Sequence, residues 1–212
     1  MSKRIMAAIV VAILVVSLSS VALANEHALA RMTGSDLKGA YFYATIQNMS
    51  VQDPLYDFIL HTTWLINIPS LEWIELGFVD GMMLIEGERV IHRGFYAATQ
   101  INDVYKEYIL TGPSTAVGTS HAFQIQKDGT NTWGLYLDYT FKKSITWSKS
   151  PDGMDVGLET NWASTKSSEW NERNFQYYKT PWTNWTSGTL VRSVPEVNVR
   201  WATQPTAIYT SK

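Results

Sequence analysis

The fold is decided by one segment of twelve residues: Ser70-Leu71-Glu72-Trp73-Ile74-Glu75-Leu76-Gly77-Phe78-Val79-Asp80-Gly81. Its side chains alternate between two faces, as they do along a β-strand. Three apolar residues share the predicted core face: Ile74, Leu76 and Phe78. Glu75 lies on the opposite face, between Trp73 and Gly77. The pattern predicts a strand that ends in a hairpin turn at Asp80-Gly81.

Glu75 is a carboxylate in the middle of this strand, between an aromatic residue and a glycine. Glutamate side chains are mostly exposed, so the segment alone favours a solvated outer face for Glu75. A glycine inside a strand often marks a close approach to the backbone. We therefore expect Gly77 to leave room for a substrate backbone beside Glu75. The rest of the chain decides between these interpretations.

The first 24 residues have the pattern of a secretory signal peptide. Lys3 and Arg4 precede an apolar run of 12 residues, Ile5–Val16, and Ala22-Leu23-Ala24 follows as an A-x-A cleavage site. The apolar run is too short to span a membrane. We expect a secreted, extracellular protein of prokaryotic origin whose mature chain begins at Asn25, with no membrane association after the signal is removed.

The mature chain carries few charges and no cysteine. Removing Lys3 and Arg4 leaves 15 basic residues against 19 acidic ones, a net charge of −4. This balance gives no indication of nucleic-acid binding. With no Cys, the core is stabilised without disulfides. The four His residues have no metal-ligand spacing, so we expect neither a metal nor another cofactor.

Ten or more short alternating segments, separated by turn residues, follow one another along the chain. Nine Trp, 11 Tyr and 7 Phe add to the strand propensity. The pattern predicts an all-β fold, an antiparallel β-sandwich or jelly roll of the concanavalin-like type. We expect a short lead over residues 25–37, with one turn of helix at Glu26–Arg31, and a single sandwich domain over residues 38–212.

A second carboxylate stands in an equivalent position on another predicted strand. Four residues of that strand share one face: Val156, Leu158, Thr160 and Trp162. Glu159 faces the other way, beside Gly157 and Asn161. Strands distant in sequence meet on one face of a sandwich, and two carboxylates held close together share a proton. Such a pair activates water for hydrolysis of peptide or glycosidic bonds.

Glu75 and Glu159 are therefore the candidate catalytic residues, although two glutamates on predicted strands are more often simply solvated. Alternation places other side chains near them. Trp73 shares the face of Glu75, Asn161 shares that of Glu159, and the next strand offers donors for an oxyanion. The candidate substrate-binding residues are Trp73, Gly77, Tyr96, Gln100, Asn161 and Trp162.

At these residues the chain resembles the neprosin family, the secreted glutamic peptidases with a β-sandwich fold. The resemblance covers roughly residues 38–166 and runs through these segments in order: Gly39–Ile46, Phe58–Ile66, Ile74–Phe78, Tyr96–Tyr105 and Val156–Thr160. Ile74–Phe78 resembles the I-E-A-G-W motif, which carries one catalytic glutamate. Val156–Thr160 falls where the family has G-G-E-V, which carries the second.

The sequence departs from the family at several positions. Leu76 and Phe78 replace the Ala and Trp of the first motif, Leu158 replaces the second Gly of the other, and the usual cysteines are missing. The resemblance implies a Glu75/Glu159 dyad that cuts peptide bonds at acid pH, often after proline. Its substrates would be peptides or proteins.

Two other functions remain open. The same sandwich without chemistry would be a binding module for glycans or peptides, using the aromatic-rich tract 162–185, whose rings are Trp162, Trp170, Tyr177, Tyr178, Trp182 and Trp185. A jelly-roll glycoside hydrolase also uses paired glutamates across a cleft. The chain lacks the E-x-D-x-x-E signature of laminarinase-like sandwiches, so this function ranks last.

Overall fold

A computed structural model describes residues 25–161 and 165–212, so the predicted signal peptide and Trp162 lie outside the described residues. No helix in those two ranges is long and apolar enough to cross a membrane. The regular structure is all β-strand: β1 Glu26–Thr33, β2 Gly39–Thr45, β3 Met49–Ser50, β4 Phe58–Asn67, β5 Glu72–Ile85, β6 Glu88–Ile101, β7 Val104–Ile109, β8 Ser120–Lys127, β9 Thr132–Leu137, β10 Thr140–Thr146, β11 Gly153–Thr160, β12 Lys166–Ser167, β13 Trp170–Tyr178, β14 Trp182–Asn184, β15 Thr189–Arg192, β16 Asn198–Thr203 and β17 Ala207–Ser211.

The strands form two large antiparallel sheets. The first has seven strands in the order β15-β1-β11-β4-β5-β6-β7. The second has eight, in the order β10-β9-β8-β2-β13-β17-β16, with β14 paired to β13. A short β12-β3 pair lies apart from both. The predicted all-β, antiparallel sandwich is confirmed.

The main core lies between the two sheets. Ile74, Leu76 and Phe78 of β5 are completely buried there, as the alternation predicts. From the second sheet, Phe42 and Phe123 stack with ring centroids 4.6 Å apart. Each such side chain contributes about 1.5–3 kcal/mol through its burial. Because one face of β5 is committed to this core, Glu75 must lie on the other face.

The N-terminal segment differs from its prediction. Glu26–Thr33 is a strand, β1, and it pairs with β11 along its whole length, so the expected helical turn is wrong. Ala28, Ala30 and Met32 alternate into the main core. Pairing with β11 decides the conformation of a segment whose small apolar residues suit helix or strand.

The Asp80-Gly81 turn is also wrong, because β5 continues to Ile85 and the hairpin turn lies at Glu86-Gly87. Asp80 pairs with Arg93 of β6 through an ion pair, which keeps the register intact. Gly81 has a φ of +126°, and a Cβ there would lie 2.2 Å from the Asp57 carbonyl oxygen. This glycine permits a close strand contact, and the chain does not reverse there.

A buried polar cluster connects the two sheets. His61 of β4 lies 2.6 Å (Nδ1) from Glu172 Oε1 of β13 and 3.0 Å (Nε2) from Ser167 Oγ. Thr210 of β17 donates to the same Glu172 oxygen at 2.6 Å. Trp170 stacks on the imidazole with centroids 3.9 Å apart. Burial lowers the pKa of His61, while the neighbouring Glu172 opposes that shift.

Candidate active site

A cleft of about 1640 Å³ runs across the face of the first sheet that points away from the main core. A second apolar cluster is on this face, and five of its members are Leu60, Trp64, Val79, Met83 and Tyr96. Both predicted catalytic residues, Glu75 and Glu159, line the cleft. Small-molecule sites are usually about 300–1,000 Å³, so this volume suits an extended polymer better than a metabolite.

The strand register explains how the two carboxylates come to share the cleft. Strand β4 lies between β11 and β5. Glu75 is directly opposite Trp64 of β4, and Glu159 is directly opposite Leu60 of the same strand. Residues opposite each other in a ladder point to the same side of the sheet. The structure thus brings together the two carboxylates that the sequence singled out.

A row of small residues separates the two carboxylates. Thr62 of β4 is opposite both Gly77 of β5 and Gly157 of β11. A Cβ at Gly77 would lie 2.3 Å from the His61 carbonyl oxygen, and one at Gly157 would lie 2.3 Å from that of Ala28. Gly77 is not among the residues that line the cleft. The neighbouring strand fills the space that a side chain at Gly77 would need, so this glycine permits the close approach of β4. Its contact with substrate stays a prediction.

Glu75 is almost inaccessible, with 4% of its surface exposed. The hydroxyl of Tyr96 donates a hydrogen bond to its Oε1. Burial raises the pKa of Glu75 well above its usual value, and the negative charge of Glu159 raises it further. The hydroxyls of Tyr96 and Thr62 oppose this shift. The protonated form of Glu75 is therefore strongly favoured.

Glu159 is half-buried and accepts a hydrogen bond at Oε1 from the side-chain amide of Asn25. Burial raises the pKa of Glu159 to about 7, the Asn25 amide opposes that rise, and the negative charge of Glu107 adds to it. Glu107, on β7, accepts hydrogen bonds from Tyr105 Oη and Leu84 N. The described residues that line the cleft include no Lys, Arg or His to stabilise these carboxylates.

The environments of the two glutamates divide the roles of acid and base between them. Glu75 is the more deeply buried of the two and Glu159 is only half-buried, so removal from water favours the protonated form of Glu75 more. A pair in this state has one hydrogen-bond donor and one base for a water molecule. Within residues 25–161 and 165–212, no group of three His, Asp or Glu side chains is arranged to hold a metal ion.

The other predicted site residues have varied positions. Trp73 and Gln100 are opposite each other on β5 and β6, and both line the cleft. Tyr96 also lines it, but its hydroxyl is engaged with Glu75. Asn161 lines the cleft, where its amide accepts from Phe58 N and donates to Tyr56 O, both at 2.8 Å. Asn161 thus holds the segment before β4.

Sequence reasoning missed Asn25 and Glu107. Glu107 shares one face of β7 with Tyr105, and the period-2 alternation of a strand could have indicated that shared face. Nothing in the sequence placed Asn25 near Glu159, because the segment after it was predicted to form a helical turn. Its position depends on the pairing of β1 with β11.

No protein-family sequence profile matches the chain, and no curated protein is similar to it in sequence. The resemblance to the neprosin family is therefore not confirmed by sequence comparison.

Solved structures share its fold. Scytalido-glutamic peptidase with a transition-state analog inhibitor superposes with a TM-score of 0.62 at 10% identity, over 88% of this chain and 97% of that one. The same enzyme with a peptide-based analog gives 0.59 at 10% identity, over 86% and 96%. SCP-B, an eqolisin-family peptidase in complex with the tripeptide Ala-Ile-His, gives 0.55 at 9% identity, over 87% and 96%. The chain has the fold of these glutamic peptidases.

Proposed function

We propose that the protein is an exported glutamic endopeptidase that hydrolyses peptide bonds with Glu75 and Glu159. One observation carries this proposal: two carboxylates with raised pKa values share one large cleft on the sheet of a glutamic-peptidase fold. Structural ion pairs also perturb pKa values, but among the described residues no Lys, Arg or His side chain lines the cleft beside the pair. The proposed substrate is an extended peptide or protein segment.

In the proposed mechanism, ionised Glu159 accepts a proton from a water molecule, and that water attacks the scissile carbonyl carbon. Protonated Glu75 donates a hydrogen bond to the carbonyl oxygen and stabilises the developing oxyanion. Tyr96 donates to one oxygen of Glu75 and fixes the orientation of the carboxyl group. Glu159 then transfers its proton to the leaving nitrogen as the carbon–nitrogen bond breaks, and the pair returns to its starting state.

The pH range follows from the protonation states. The resemblance implies activity at acid pH, but a pKa of about 7 for Glu159 leaves little of the base at pH 4. We therefore propose activity that rises from acid toward neutral pH. The preference for cleavage after proline rests on the resemblance alone, and a comparison of matched substrates tests it.

The decisive experiment assays residues 25–212 on internally quenched peptides with and without proline, from pH 3 to pH 9. Glu75→Gln and Glu159→Gln should each lower kcat/KM by about 10³-fold or more while the protein stays folded, since each removes a member of the dyad. Glu169→Gln is the matched control, because Glu169 is exposed and pairs with Arg200. Full activity in either dyad variant would refute the proposed function.

A non-catalytic binding module remains the second candidate. Trp170 and Trp185 are buried in the core, so the aromatic tract is not one continuous platform. Trp182 does contact Tyr178 and Tyr41, with ring centroids 5.2 Å and 6.0 Å apart, and is only half-buried. Glycan binding that is lost in Trp182→Ala, in a protein without peptidase activity, would favour this function.

Export is tested separately. We expect signal peptidase to cut after Ala24, so that mass spectrometry of the exported protein gives Asn25 as its first residue. An exported protein that retains residues 1–24 would contradict the proposed signal peptide.

A further inference from the structure

Strand β1 brings a third polar side chain to the carboxylate pair. Asn25 lines the cleft, and its Nδ2 donates a hydrogen bond to Glu159 Oε1. This contact joins residues that are 134 positions apart in sequence. The contact fixes one oxygen of the Glu159 carboxylate and so orients the whole group in the cleft.

The start of β1 is fixed on several sides, which confines Asn25. Glu26, the next residue, is opposite Thr160 of β11 and forms an ion pair with Lys212. His27 N donates to Ser193 Oγ at 2.6 Å, and Ser193 N donates back to His27 O at 3.0 Å. A side chain on a backbone held in this way positions its partner more tightly than one on a free loop.

Other groups around Glu159 do not take this role. His27 is directly opposite Glu159 in the ladder, but its Nδ1 is buried without a hydrogen-bond partner. Leu60, opposite on the other side, is apolar. Glu107 is itself a carboxylate, and its negative charge opposes the ionisation of Glu159. Of these neighbours, Asn25 is the one that donates to the carboxylate.

We propose that Asn25 is a positioning residue of the dyad, whose amide sets the orientation of the Glu159 carboxylate and favours its ionised form. This inference rests on the proposed function for its catalytic meaning. A neutral amide suits the role because it donates a hydrogen bond without adding a charge to the cleft. A carboxylate at this position would repel Glu159, and a methyl group would leave Oε1 without its partner.

The test compares Asn25→Ala, Asn25→Asp and Asn25→Gln in the exported protein. We expect Asn25→Ala to lower kcat by up to about 10²-fold, because a catalytic group misplaced by about 1 Å costs that much, with KM within about twofold. The acid limb of the pH–rate profile should move to higher pH in Asn25→Ala. The acid limb should move further in Asn25→Asp. Asn25→Gln keeps the amide and should retain more activity than Asn25→Ala.

Ser193→Ala is the structural control, because it removes the hydroxyl that accepts from His27 N but keeps the backbone contact to His27 O and leaves the Asn25 amide in place. It should lower the thermal midpoint without moving the acid limb. An unshifted limb in Asn25→Ala, or an equal shift in Ser193→Ala, would overturn the inference.

A second readout is independent of peptidase activity. A carbon-13 NMR titration of the Glu159 carboxyl should give a higher pKa in Asn25→Ala than in the unmodified protein. If no Glu75-dependent cleavage is found, the proposed function fails, while this titration still decides whether Asn25 holds Glu159. An unchanged Glu159 titration in Asn25→Ala refutes the positioning role.

Discussion

Replacing Gly77 by alanine should damage both stability and the proposed activity, although Gly77 does not line the cleft. The new Cβ would lie 2.3 Å from the His61 carbonyl oxygen and 2.6 Å from the Thr62 Cβ. Ordinary contacts need about 3.5 Å, so β4 and β5 must separate locally by roughly 1 Å. The obstacle is backbone, which does not move aside as a flexible side chain does.

The magnitude follows from that displacement. Overpacking of this kind costs about 1–3 kcal/mol. For a domain of this size, each kcal/mol lowers the thermal midpoint by about 2–4 °C, so we expect a loss of roughly 2–12 °C. Strand β4 lies between the strands of Glu75 and Glu159. A shift of about 1 Å at that position should lower kcat/KM by about 10²-fold.

Gly129→Ala is the matched control, because it adds the same methyl group where the nearest atoms, both of Thr132, are 3.5 Å away. It should change stability by less than about 0.5 kcal/mol. Circular dichroism melts and the quenched-peptide assay measure both effects. If Gly77→Ala melts and cleaves like the control, the close-approach argument is wrong. If it is destabilised but fully active, the position of β4 does not set the dyad.

Three further outcomes follow from the carboxylates and the buried cluster. Glu107→Gln should move the acid limb of the pH–rate profile to lower pH, because the negative charge of Glu107 raises the pKa of both Glu75 and Glu159. An unmoved limb would show that Glu107 does not affect the pKa of either carboxyl. The double variant Glu75→Gln/Glu159→Gln should melt higher than the unmodified protein at pH 8, with a smaller difference at pH 5. Because the pKa values of both carboxyls are raised in the folded state, the folded protein binds more protons than the unfolded one, and its stability falls as the pH rises above about 4.5. Equal thermal midpoints for the double variant and the unmodified protein at pH 8 would contradict this. His61→Ala should cost about 1.5–3 kcal/mol in urea denaturation, because it removes one of the two side chains that hydrogen-bond to buried Glu172 and leaves only Thr210. A loss below about 1 kcal/mol would mean that the His61–Glu172 contact contributes little.

The faces of the central strands could be predicted from sequence because one face of each is committed to the core. On β5 and β11, the alternation of apolar residues assigned Glu75 and Glu159 to the opposite face, and a one-residue error would have placed both carboxylates in the main core between the sheets. That constraint gave the fold class and brought the two carboxylates together. It is strong because it repeats at every second residue.

The remaining features depend on which strands become neighbours. Ala28-Leu29-Ala30 suits a helix or a strand, and only the pairing of β1 with β11 decides between them. A glycine such as Gly77 indicates a close approach, but the sequence does not say whether a substrate or another strand approaches. Asp80-Gly81 favours a turn locally, yet hydrogen bonding on both sides of β5 outweighs that preference.

The buried cluster at His61 has a consequence for the timing of assembly. It joins β4 to Thr210 of β17, 149 residues further along the chain. A nascent chain that has not reached β17 lacks this connection, and contacts of such long range form late in folding. The strand between the two carboxylates therefore gains this connection to the second sheet only after β17 has been synthesised.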